Sequence, residues 1–482
     1  MKKIFALMAC LALSFACLEA QFVKNPPKNI IIMIADGWGY NQILVSNYYE
    51  TGKDSANVYE SFPVKLAIVH SPAMTGDYST KTGVGLLSWE NGYNSGLAWT
   101  DFKYMAKGAT ESSASATALA TGVKTYNGAI GVDINKNRLL NVTEQAKSMN
   151  KAAGVVTTVS WVDATPAGFT AHNESRKNHS EIARDMLIDS RLDVLMGCGN
   201  PNYDNDGKPT SAEAHYGKYS LDKATFEALR QGNTIEYSLA SPTGRTTVRS
   251  VDQDDTPDPW TFIETKEQFL ELTTTTTTPK RVCGMPRVYT TLQQYRSGAT
   301  NEEKPFQVPL NPNLPNQSEM TLGALNVLKN NPNGFFLMSE GGAVDWANHE
   351  NSLPTMVEEM REFNRAVAEV TKWIEKNSSW EETLLIVCGD HECGYITGPQ
   401  EGNNSPLSNP VINMGAGSLP KARYNSPGHS NQPIPLFAKG RYSEIFNLLA
   451  DEVDQVRGRY IQNSEIAQAV FLLWGKSSMP AK

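Results

Sequence analysis

The apolar residues of this chain fall into continuous runs, several of which end close to an acidic residue. The four clearest runs span 29–35, 154–160, 334–339 and 383–389. Their apolar positions do not alternate with polar ones, which is typical of strands that are buried on both faces of a parallel sheet. The acids that follow these runs are Asp36, Asp163, Glu340 and Asp390.

The segments between these runs favour helices. Over 355–376, apolar residues recur at every third or fourth position, which predicts a helix with one buried face. Alternating strands and helices predict an α/β fold, in which one large doubly wound domain has a mostly parallel central sheet with helices on both faces. Ligands of such folds gather at the carboxyl ends of the strands, so we expect the acids to share one site.

Three stretches depart from this rhythm. Residues 75–108 and 201–259 lack a clear period, and we interpret both as surface insertions of a single catalytic domain that covers 21–482. Either insertion could flank the mouth of the site. The threonine run 273–278 predicts a strand or an extended loop, because threonine is branched at Cβ.

Residues 1–20 predict a secretory signal peptide. Lys2 and Lys3 precede an apolar stretch that is too short to span a bilayer comfortably, and Leu18-Glu-Ala20 is an acceptable cleavage site before Gln21. We therefore expect a secreted or periplasmic protein. Attachment of a lipid at Cys17 is the alternative.

Charge and apolar length argue against two classes of protein. The 482-residue chain has a formal net charge of −8 and no strongly basic stretch, which argues against a protein that binds nucleic acid. No apolar run after the predicted signal peptide is long enough for a transmembrane segment.

The cysteines leave two states open. Those behind the predicted signal peptide are Cys198, Cys283, Cys388 and Cys393. In an oxidising compartment they could form one or two disulfides, whose pairing the sequence does not determine. Reduced and buried thiols are the alternative.

Carboxylates and imidazoles cluster near the predicted strand ends. The candidate metal ligands are Asp36, Glu340, Asp345, His349, Asp390, His391 and His429. Asp345 and His349 are four residues apart, so both could reach one metal ion from the same face of a helix. Mixed histidine and carboxylate ligands suit zinc, whereas oxygen ligands alone suit magnesium. Each residue could instead have a structural role such as a helix cap, but the set predicts a metal site.

A segment rich in serine, alanine and threonine supplies a candidate nucleophile. Residues 110–122 predict a helix whose free N–H groups and positive dipole end favour an anion. Ser112 lies at this end, and a metal ion could lower the pKa of its hydroxyl enough to activate it. The alternative is that Ser112 only caps the helix.

Residues 163–176 supply candidate phosphate and magnesium contacts. The planar guanidinium of Arg176 can bind two phosphate oxygens at once, although a surface salt bridge is the alternative role. Asp163 and Thr165 offer oxygen atoms to magnesium or to its water ligands.

Taken together, these motifs resemble those of the alkaline phosphatase family. The resemblance covers most of the chain behind the predicted signal peptide, and the motifs agree in order and spacing. The motifs that carry it are Asp36-Gly-Trp-Gly39, Glu111-Ser-Ser-Ala-Ser-Ala-Thr-Ala118, Asp163-Ala-Thr-Pro166, Arg176, Glu340-Gly-Gly-Ala-Val-Asp345, His349, Gly389-Asp-His-Glu392 and Pro427-Gly-His429.

The resemblance implies two zinc ions, one magnesium ion and a role for each candidate residue. Ser112 matches the serine that becomes phosphorylated, and Arg176 matches the residue that clamps the phosphate. The implied ligands of the first zinc are Asp345, His349 and His429. Those of the second zinc are Asp36, Asp390, His391 and the Ser112 oxygen. Those of magnesium are Asp36, Thr165, Glu340 and water molecules, one of which is held by Asp163.

Two positions depart from the family pattern. Glu111 precedes the serine where many members have aspartate, and Trp346 follows Asp345 where the best-known enterobacterial member has lysine. Glu111 and Trp346 are therefore candidate substrate-binding residues, and we expect them to alter phosphate affinity and the pH optimum.

The function implied by the resemblance is that of an exported, metal-dependent phosphomonoesterase. It would hydrolyse small phosphate monoesters to an alcohol and inorganic phosphate through a phosphoserine at Ser112, and the family default is a homodimer. Such esters hydrolyse very slowly without a catalyst, so charge neutralisation and positioning must dominate catalysis. The alternatives are a phosphodiesterase or sulfatase of the same superfamily and a non-catalytic protein that binds metal or phosphate.

Overall fold

The computed structural model describes residues 25–77, 82–86, 93–105, 108–241, 244–249, 259–301, 303–399 and 409–476. The predicted signal peptide over 1–20 and the alternative lipid-attachment site at Cys17 lie outside these residues and stay predictions. Parts of the two predicted insertions, 75–108 and 201–259, also lie outside them.

The strands are numbered in chain order. They are β1 (Asn29–Ala35), β2 (Val64–Val69), β3 (Met74–Asp77), β4 (Thr82–Leu86), β5 (Ala152–Ser160), β6 (Val194–Cys198), β7 (Glu236–Ser241), β8 (Gly244–Arg249), β9 (Thr261–Ile263), β10 (Val282–Gly284), β11 (Phe335–Gly341), β12 (Thr383–Gly389), β13 (Glu392–Cys393), β14 (His429–Ser430), β15 (Ile434–Gly440), β16 (Glu452–Asp454) and β17 (Gly458–Gln462).

The α-helices are numbered in the same way. They are α1 (Tyr40–Thr51), α2 (Phe102–Met105), α3 (Ser112–Thr121), α4 (Val142–Ser148), α5 (Ala164–Gly168), α6 (His179–Arg184), α7 (Lys223–Arg230), α8 (Lys266–Thr274), α9 (Gln317–Leu328), α10 (Ala343–His349), α11 (Leu353–Asn377), α12 (Ile445–Leu449) and α13 (Ser464–Leu473). A π-helical turn over Asp185–Asp189 continues α6.

One 11-stranded sheet organises the described part of the chain. Its order is β16-β17-β2-β15-β12-β1-β11-β5-β6-β10-β9. From β12 to β9 in this order, every strand is parallel to its neighbours. β15 is antiparallel to both of its neighbours, and β16 is antiparallel to β17. The predicted mostly parallel central sheet is therefore confirmed.

Both faces of this sheet are covered by helices. Along β1, alternate side chains point to opposite faces. Ile30, Ile32 and Ile34 pack in one apolar core that includes residues of α3 and α13. Ile31 and Met33 pack in a second core that includes residues of α9 and α11. Burial on both faces explains why the strand sequence is continuously apolar, and it confirms the doubly wound arrangement.

The long helix predicted over 355–376 is observed as α11. It begins after Ser352, whose hydroxyl accepts the N–H of Thr355, and Pro354 lies in its first turn, where a missing N–H costs no helical bond. The apolar stripe of α11 is buried against the second core. The helix therefore follows the predicted pattern and extends it by a few residues.

The threonine run 273–278 differs from its prediction. Thr273 and Thr274 form the last turn of α8 rather than a strand or a loop. Their hydroxyls donate to carbonyl oxygens three residues earlier, at 2.7 and 3.3 Å. These local bonds favour the helical turn despite branching at Cβ, and the extended conformation begins only at Thr275.

All four cysteines of the described chain are free and buried, so the reduced state is the one observed. They lie on strands, where Cys198 and Cys283 belong to the sheet around β6 and β10. Within the described residues, no helix has both the length and the apolar character that are needed to cross a membrane.

Candidate active site

Four neighbouring strands bring acidic side chains to one edge of the sheet. β12, β1, β11 and β5 lie side by side and parallel, so their carboxyl ends meet there. Asp390 and Asp36 directly follow β12 and β1, Glu340 is the next-to-last residue of β11, and Asp163 comes three residues after β5. The strand order thus gathers residues that are up to 354 positions apart, from Asp36 to Asp390.

Asp345, His349 and His429 form the first cluster of candidate ligands. Asp345 and His349 lie one turn apart on α10, with His349 Nε2 3.2 Å from Asp345 Oδ2. His429 Nε2 is 3.4 Å from Asp345 Oδ1 and 3.1 Å from His349 Nε2. The Nδ1 atoms of His349 and His429 donate to the carbonyl oxygens of Pro427 and Thr110, at 2.6 and 2.8 Å. When both rings are neutral, the lone pairs of the two Nε2 atoms are therefore available to one metal ion beside the Asp345 carboxylate.

Asp36, Asp390 and His391 form the second cluster, and Ser112 touches it. His391 Nε2 is 3.1 Å from Asp390 Oδ2 and 3.3 Å from Asp36 Oδ1. Ser112 Oγ lies 3.1 Å from His391 Nε2 and 3.4 Å from Asp36 Oδ2. All four side chains are buried, so this hydroxyl is held directly against a carboxylate and an imidazole away from bulk water.

Cys393 is an additional candidate ligand that the sequence analysis missed. One ligand atom each of Cys393, Asp345, His349 and His429 lie within 4.8 Å of one another. Burial raises the pKa of the Cys393 thiol well above its ordinary value, and the charges of Asp345 and Glu392 act in the same direction. Its place two residues after His391 was the available signal in the sequence.

Glu340, Asp163 and Thr165 lie on the side of β11 and β5. The hydroxyl of Thr157 donates to Glu340 Oε2 at 2.5 Å. Burial raises the pKa of Glu340 to about 8, although the hydroxyls of Thr157 and Thr165 act in the opposite direction. Asp163 caps α5, the short helix that carries Thr165, by accepting the N–H of Ala164 at 2.8 Å. These residues offer oxygen atoms only, as the sequence predicted.

Glu111 rather than Ser112 caps α3. Its carboxylate accepts the backbone N–H groups of Ser113 and Ala114, at 3.1 and 2.8 Å. Ser112 is the first residue of the helix, and its hydroxyl is left to face the second cluster. The alternative in which Ser112 only caps the helix therefore does not describe this structure.

Arg176 is held by two acids at the edge of the same site. Its Nη1 donates to Glu111 Oε2 at 2.6 Å, and its Nη2 donates to Asp163 Oδ1 at 2.8 Å. Both contacts orient the guanidinium, whose side chain is 31% exposed. The predicted salt bridge is thus present, but it lies inside the site, where it fixes the group that the resemblance assigns to phosphate.

The second cluster carries buried charge that its protein partners do not balance. Asp36 Oδ1 and Asp390 Oδ2 are buried oxygen atoms without a hydrogen-bond partner. Burial raises the pKa of Asp390 to about 7, and burial together with Asp390 and Asp345 raises that of Asp36 well above its ordinary value. Such orphaned acceptors are rare, and a cation between them would satisfy them. The donor set therefore fits divalent metal ions.

In the first cluster, unlike the second, neighbouring histidines stabilise the charge of the buried carboxylate. Burial alone would raise the pKa of Asp345, but His429 and His349 hold it well below its ordinary value. The hydrogen bond to Asp345 raises the pKa of His349 to about 9. A metal ion would therefore have to displace a proton from this cluster, as histidine sites generally require.

A cavity of about 250 Å³ is lined by the first cluster and by Asp36 of the second, whereas Asp390 and His391 lie behind its lining. The predicted residues that line it are Asp36, Ser112, Asp163, Arg176, Asp345, Trp346, His349 and His429. Glu111 is absent from this lining and acts on it through Arg176. Tyr219 and Tyr295 also line it, and the sequence analysis named neither.

The close approach of two loops depends on Gly37. This residue has φ +67°, and a Cβ atom placed on it would lie 2.6 Å from Asp345 Oδ1 and 2.8 Å from Asp345 Cα. Its N–H donates to Asp390 Oδ1 at 3.1 Å. Gly37 thus contacts Asp345 of the first cluster and Asp390 of the second, and only glycine fits at this position.

We expect Gly37→Ala to weaken zinc binding about tenfold or more, because a displaced Asp345 would lose its orientation. The measurement is a competition titration of purified protein against a chromophoric chelator. Gly232→Ala is the matched control, since Gly232 has φ +65° but no neighbouring atom within 4 Å of an added Cβ. Equal zinc affinity in both variants and in the unsubstituted protein would contradict the role given to Gly37.

Comparison with known proteins gives a consistent result. The family model described as alkaline phosphatase matches residues 27–432. The chain is 27% identical over 394 residues to Alkaline phosphatase 4 of Bacillus subtilis (strain 168). The aligned region covers 81% of this chain and 66% of that relative. It is 26% identical over 469 residues to the alkaline phosphatase of Escherichia coli (strain K12), with coverage of 91% and 86%. The chain thus spans just under two thirds of the length of the B. subtilis relative.

The fold also matches solved structures. One of these is a mutant of the TAB5 alkaline phosphatase, from an Antarctic bacterium, described with Mg bound in its M3 site. It superposes with a TM-score of 0.59 at 23% identity, over 93% of this chain and 98% of that one. This likeness confirms the predicted alkaline phosphatase-like fold. Because the family model covers most of its length, the chain belongs to the alkaline phosphatase family.

Proposed function

We propose that this protein is a metal-dependent phosphomonoesterase that hydrolyses small phosphate monoesters to an alcohol and inorganic phosphate. The observation that carries the proposal is the place of the Ser112 hydroxyl, 3.1 Å from His391 Nε2 and 3.4 Å from Asp36 Oδ2, on a residue that lines a cavity. The first cluster, Asp36 of the second cluster and the Arg176 side chain line the same cavity. Nucleophile, cation sites and an anion clamp thus face one small space.

Two zinc ions and one magnesium ion are the proposed cofactors. Asp345, His349 and His429 would hold the first zinc, and Asp36, Asp390 and His391 would hold the second beside the Ser112 oxygen. Asp36, Thr165, Glu340 and a water on Asp163 would hold magnesium. Mixed nitrogen and oxygen donors support zinc in the two clusters, and oxygen donors alone support magnesium at the third site. The Mg described for the TAB5 mutant agrees with a magnesium site in this family.

Ser112 is the proposed nucleophile. When bound, zinc supplies a positive charge that stabilises deprotonated oxygen atoms at neutral pH. Ser112 Oγ, having lost its proton to solvent, would then attack phosphorus, forming a bond to it while the bond from phosphorus to the alcohol oxygen breaks and the released alcohol takes up a proton. A serine hydroxyl is a weak nucleophile at its ordinary pKa, which is why its burial against Asp36 and His391 matters.

Arg176 and Glu111 position the phosphoryl group. The guanidinium donates to Glu111 and Asp163 in its present orientation, which leaves its remaining N–H donors for phosphate oxygens. Glu111 also caps α3, so one side chain fixes both the clamp and the helix that carries the nucleophile. A phosphoryl group between them would meet preorganised donors, which is the main source of catalysis in phosphoryl transfer.

Hydrolysis of the phosphoserine would complete the cycle. Water attacks phosphorus, the bond to Ser112 Oγ breaks, the serine regains its proton, and inorganic phosphate leaves. Asp36 Oδ2 lies 3.4 Å from Ser112 Oγ, so the cations that Asp36 would hold would supply positive charge beside the reacting oxygen atoms.

A phosphodiesterase of the same superfamily is the nearest alternative. A diester carries one negative charge and a second organic group on phosphorus, so a fixed guanidinium would stabilise it less than it stabilises a monoester, which carries two charges. The doubly anchored Arg176 at the cavity therefore favours a monoester. A non-catalytic phosphate- or metal-binding protein would not need a buried serine hydroxyl between the clusters.

The export of the protein and its assembly are further proposals. The sequence of residues 1–20 supports secretion or transfer to the periplasm, with lipid attachment at Cys17 as the alternative. A homodimer is the default expectation from the family resemblance.

We expect Ser112→Ala to lower kcat for an aryl phosphate by at least about a thousandfold while zinc remains bound, because the variant lacks the oxygen that accepts the phosphoryl group. Steady-state kinetics and elemental analysis of the same samples measure both. Ser148→Ala, at an exposed position on α4, is the control and should keep full activity. Substantial turnover by the Ser112 variant would refute the nucleophile assignment.

We expect a strong chelator to abolish activity and zinc to restore it, because the buried acids of both clusters depend on cations. Zinc with magnesium should restore more activity than zinc alone, since the Glu340 site has only oxygen donors. The measurement is turnover of an aryl phosphate after dialysis and metal addition, with metal content determined at each step. Full activity in metal-free protein would rule out the proposed mechanism.

A further inference from the structure

One wall of the cavity consists of three aromatic side chains that have no part in the proposed chemistry. They are Tyr219, Trp346 and Tyr295, and together they are called the aromatic wall. The Trp346 ring lies between the two tyrosines, 5.8 Å from Tyr219 and 5.3 Å from Tyr295. Both contacts are edge-to-face, with interplanar angles of 65° and 64°. This is a favourable geometry for aromatic rings, so the two tyrosines brace the tryptophan.

The aromatic wall adjoins the groups that would hold phosphate. Trp346 directly follows Asp345 on α10, so its position is fixed by the same helix as two candidate ligands. Tyr219 lines the same cavity as Asp163 and Arg176, so its ring and the clamp border one space. A phosphate ester bound at the clusters would therefore present its alcohol part to these rings.

Tyr219 is held in a strained backbone conformation. Its φ is +48°, in the left-handed region that a bulky side chain rarely adopts. Its N–H donates to His179 Nδ1 at 3.1 Å, and its carbonyl oxygen accepts from Ser160 Oγ at 2.7 Å. Its ring also packs on the His179 ring at 4.9 Å. Strain that neighbouring contacts maintain in this way is characteristic of residues placed for function.

We infer that the aromatic wall binds the alcohol part of the substrate and selects phosphate monoesters whose alcohol carries a planar aromatic ring. The inference rests on the proposed function and names the substrate class of the same site. A planar ring can pack against Trp346 and the tyrosines in stacked or edge-to-face contact, which adds to simple apolar burial. Because the wall is braced before substrate arrives, little rotamer freedom is lost on binding.

The chemistry of the wall favours this class over charged or small alcohols. Its three side chains are aromatic, and the Tyr295 hydroxyl lies 3.4 Å from Glu350 Oε1, whereas the charged side chains that line the cavity are those of the metal clusters and the clamp. An alcohol with a carboxylate would meet no cation on the wall, and a short alkyl alcohol would leave it uncovered. An aromatic alcohol would cover it and hold the leaving oxygen in a defined place, which assists the reaction.

The test compares kcat/KM for benzyl phosphate and ethyl phosphate, since both release a primary alcohol and differ in the ring. The unsubstituted protein should prefer benzyl phosphate. Trp346→Ala, Tyr295→Ala and Tyr219→Asn should each lower the benzyl-to-ethyl ratio about three- to tenfold. Asparagine is chosen at Tyr219 because it tolerates the left-handed conformation without a ring. Tyr203→Ala is the control and should leave the ratio unchanged, because Tyr203 does not line the cavity.

Cyclohexylmethyl phosphate separates aromatic contact from apolar burial. The unsubstituted protein should hydrolyse it less efficiently than benzyl phosphate, and equal efficiency would overturn the selection of planar rings. Benzyl-to-ethyl ratios that stay the same in all three variants would overturn the aromatic wall, provided that circular dichroism shows them folded. Either result would leave the proposed function intact, whereas failure of the unsubstituted, metal-loaded protein to hydrolyse any of the three esters would refute the function itself.

Discussion

Burial of neighbouring carboxylates is the constraint on which the rest of this structure depends. Asp36, Glu340 and Asp390 meet at the edge of the sheet, where burial raises the pKa of each, and nearby acids add to the effect: Asp390 acts on Asp36 and Glu340, and Asp345 acts on Asp390. Removing an unpaired charge from water costs on the order of several kcal/mol, so such a group of acids is stable as ions only when cations lie between them. The rest of the site supports this arrangement: parallel strands supply the acids, Gly37 lets two loops approach, and hydrogen bonds turn the histidine Nε2 atoms inward.

The same arrangement links the fold to the chemistry. Glu111 caps α3 and holds Arg176, so the helix that presents Ser112 and the guanidinium that faces it cannot move independently. Asp163 has a similar double role, because it caps α5 and holds the other arm of Arg176. Catalysis of phosphoryl transfer depends on donors and charges that are fixed in advance, and here the helix caps provide that fixation.

Much of this could be predicted from the sequence, because the relevant signals are local. Continuous apolar runs identify the buried parallel strands, and the acids that follow them identify the edge at which they converge. Asp345 and His349 share a helix face through their spacing alone. The long helix α11 follows its apolar period.

What escaped prediction depends on contacts between distant segments. Tyr219 and Tyr295 reach the cavity from irregular segments, where no periodicity reports which way a side chain points. Cys393 approaches Asp345 through the turn after β12.

The most direct test of the whole account is zinc anomalous diffraction from crystals grown with zinc. We predict one peak among Asp345, His349 and His429 and another among Asp36, Asp390 and His391; saturating zinc that leaves both clusters empty would contradict it.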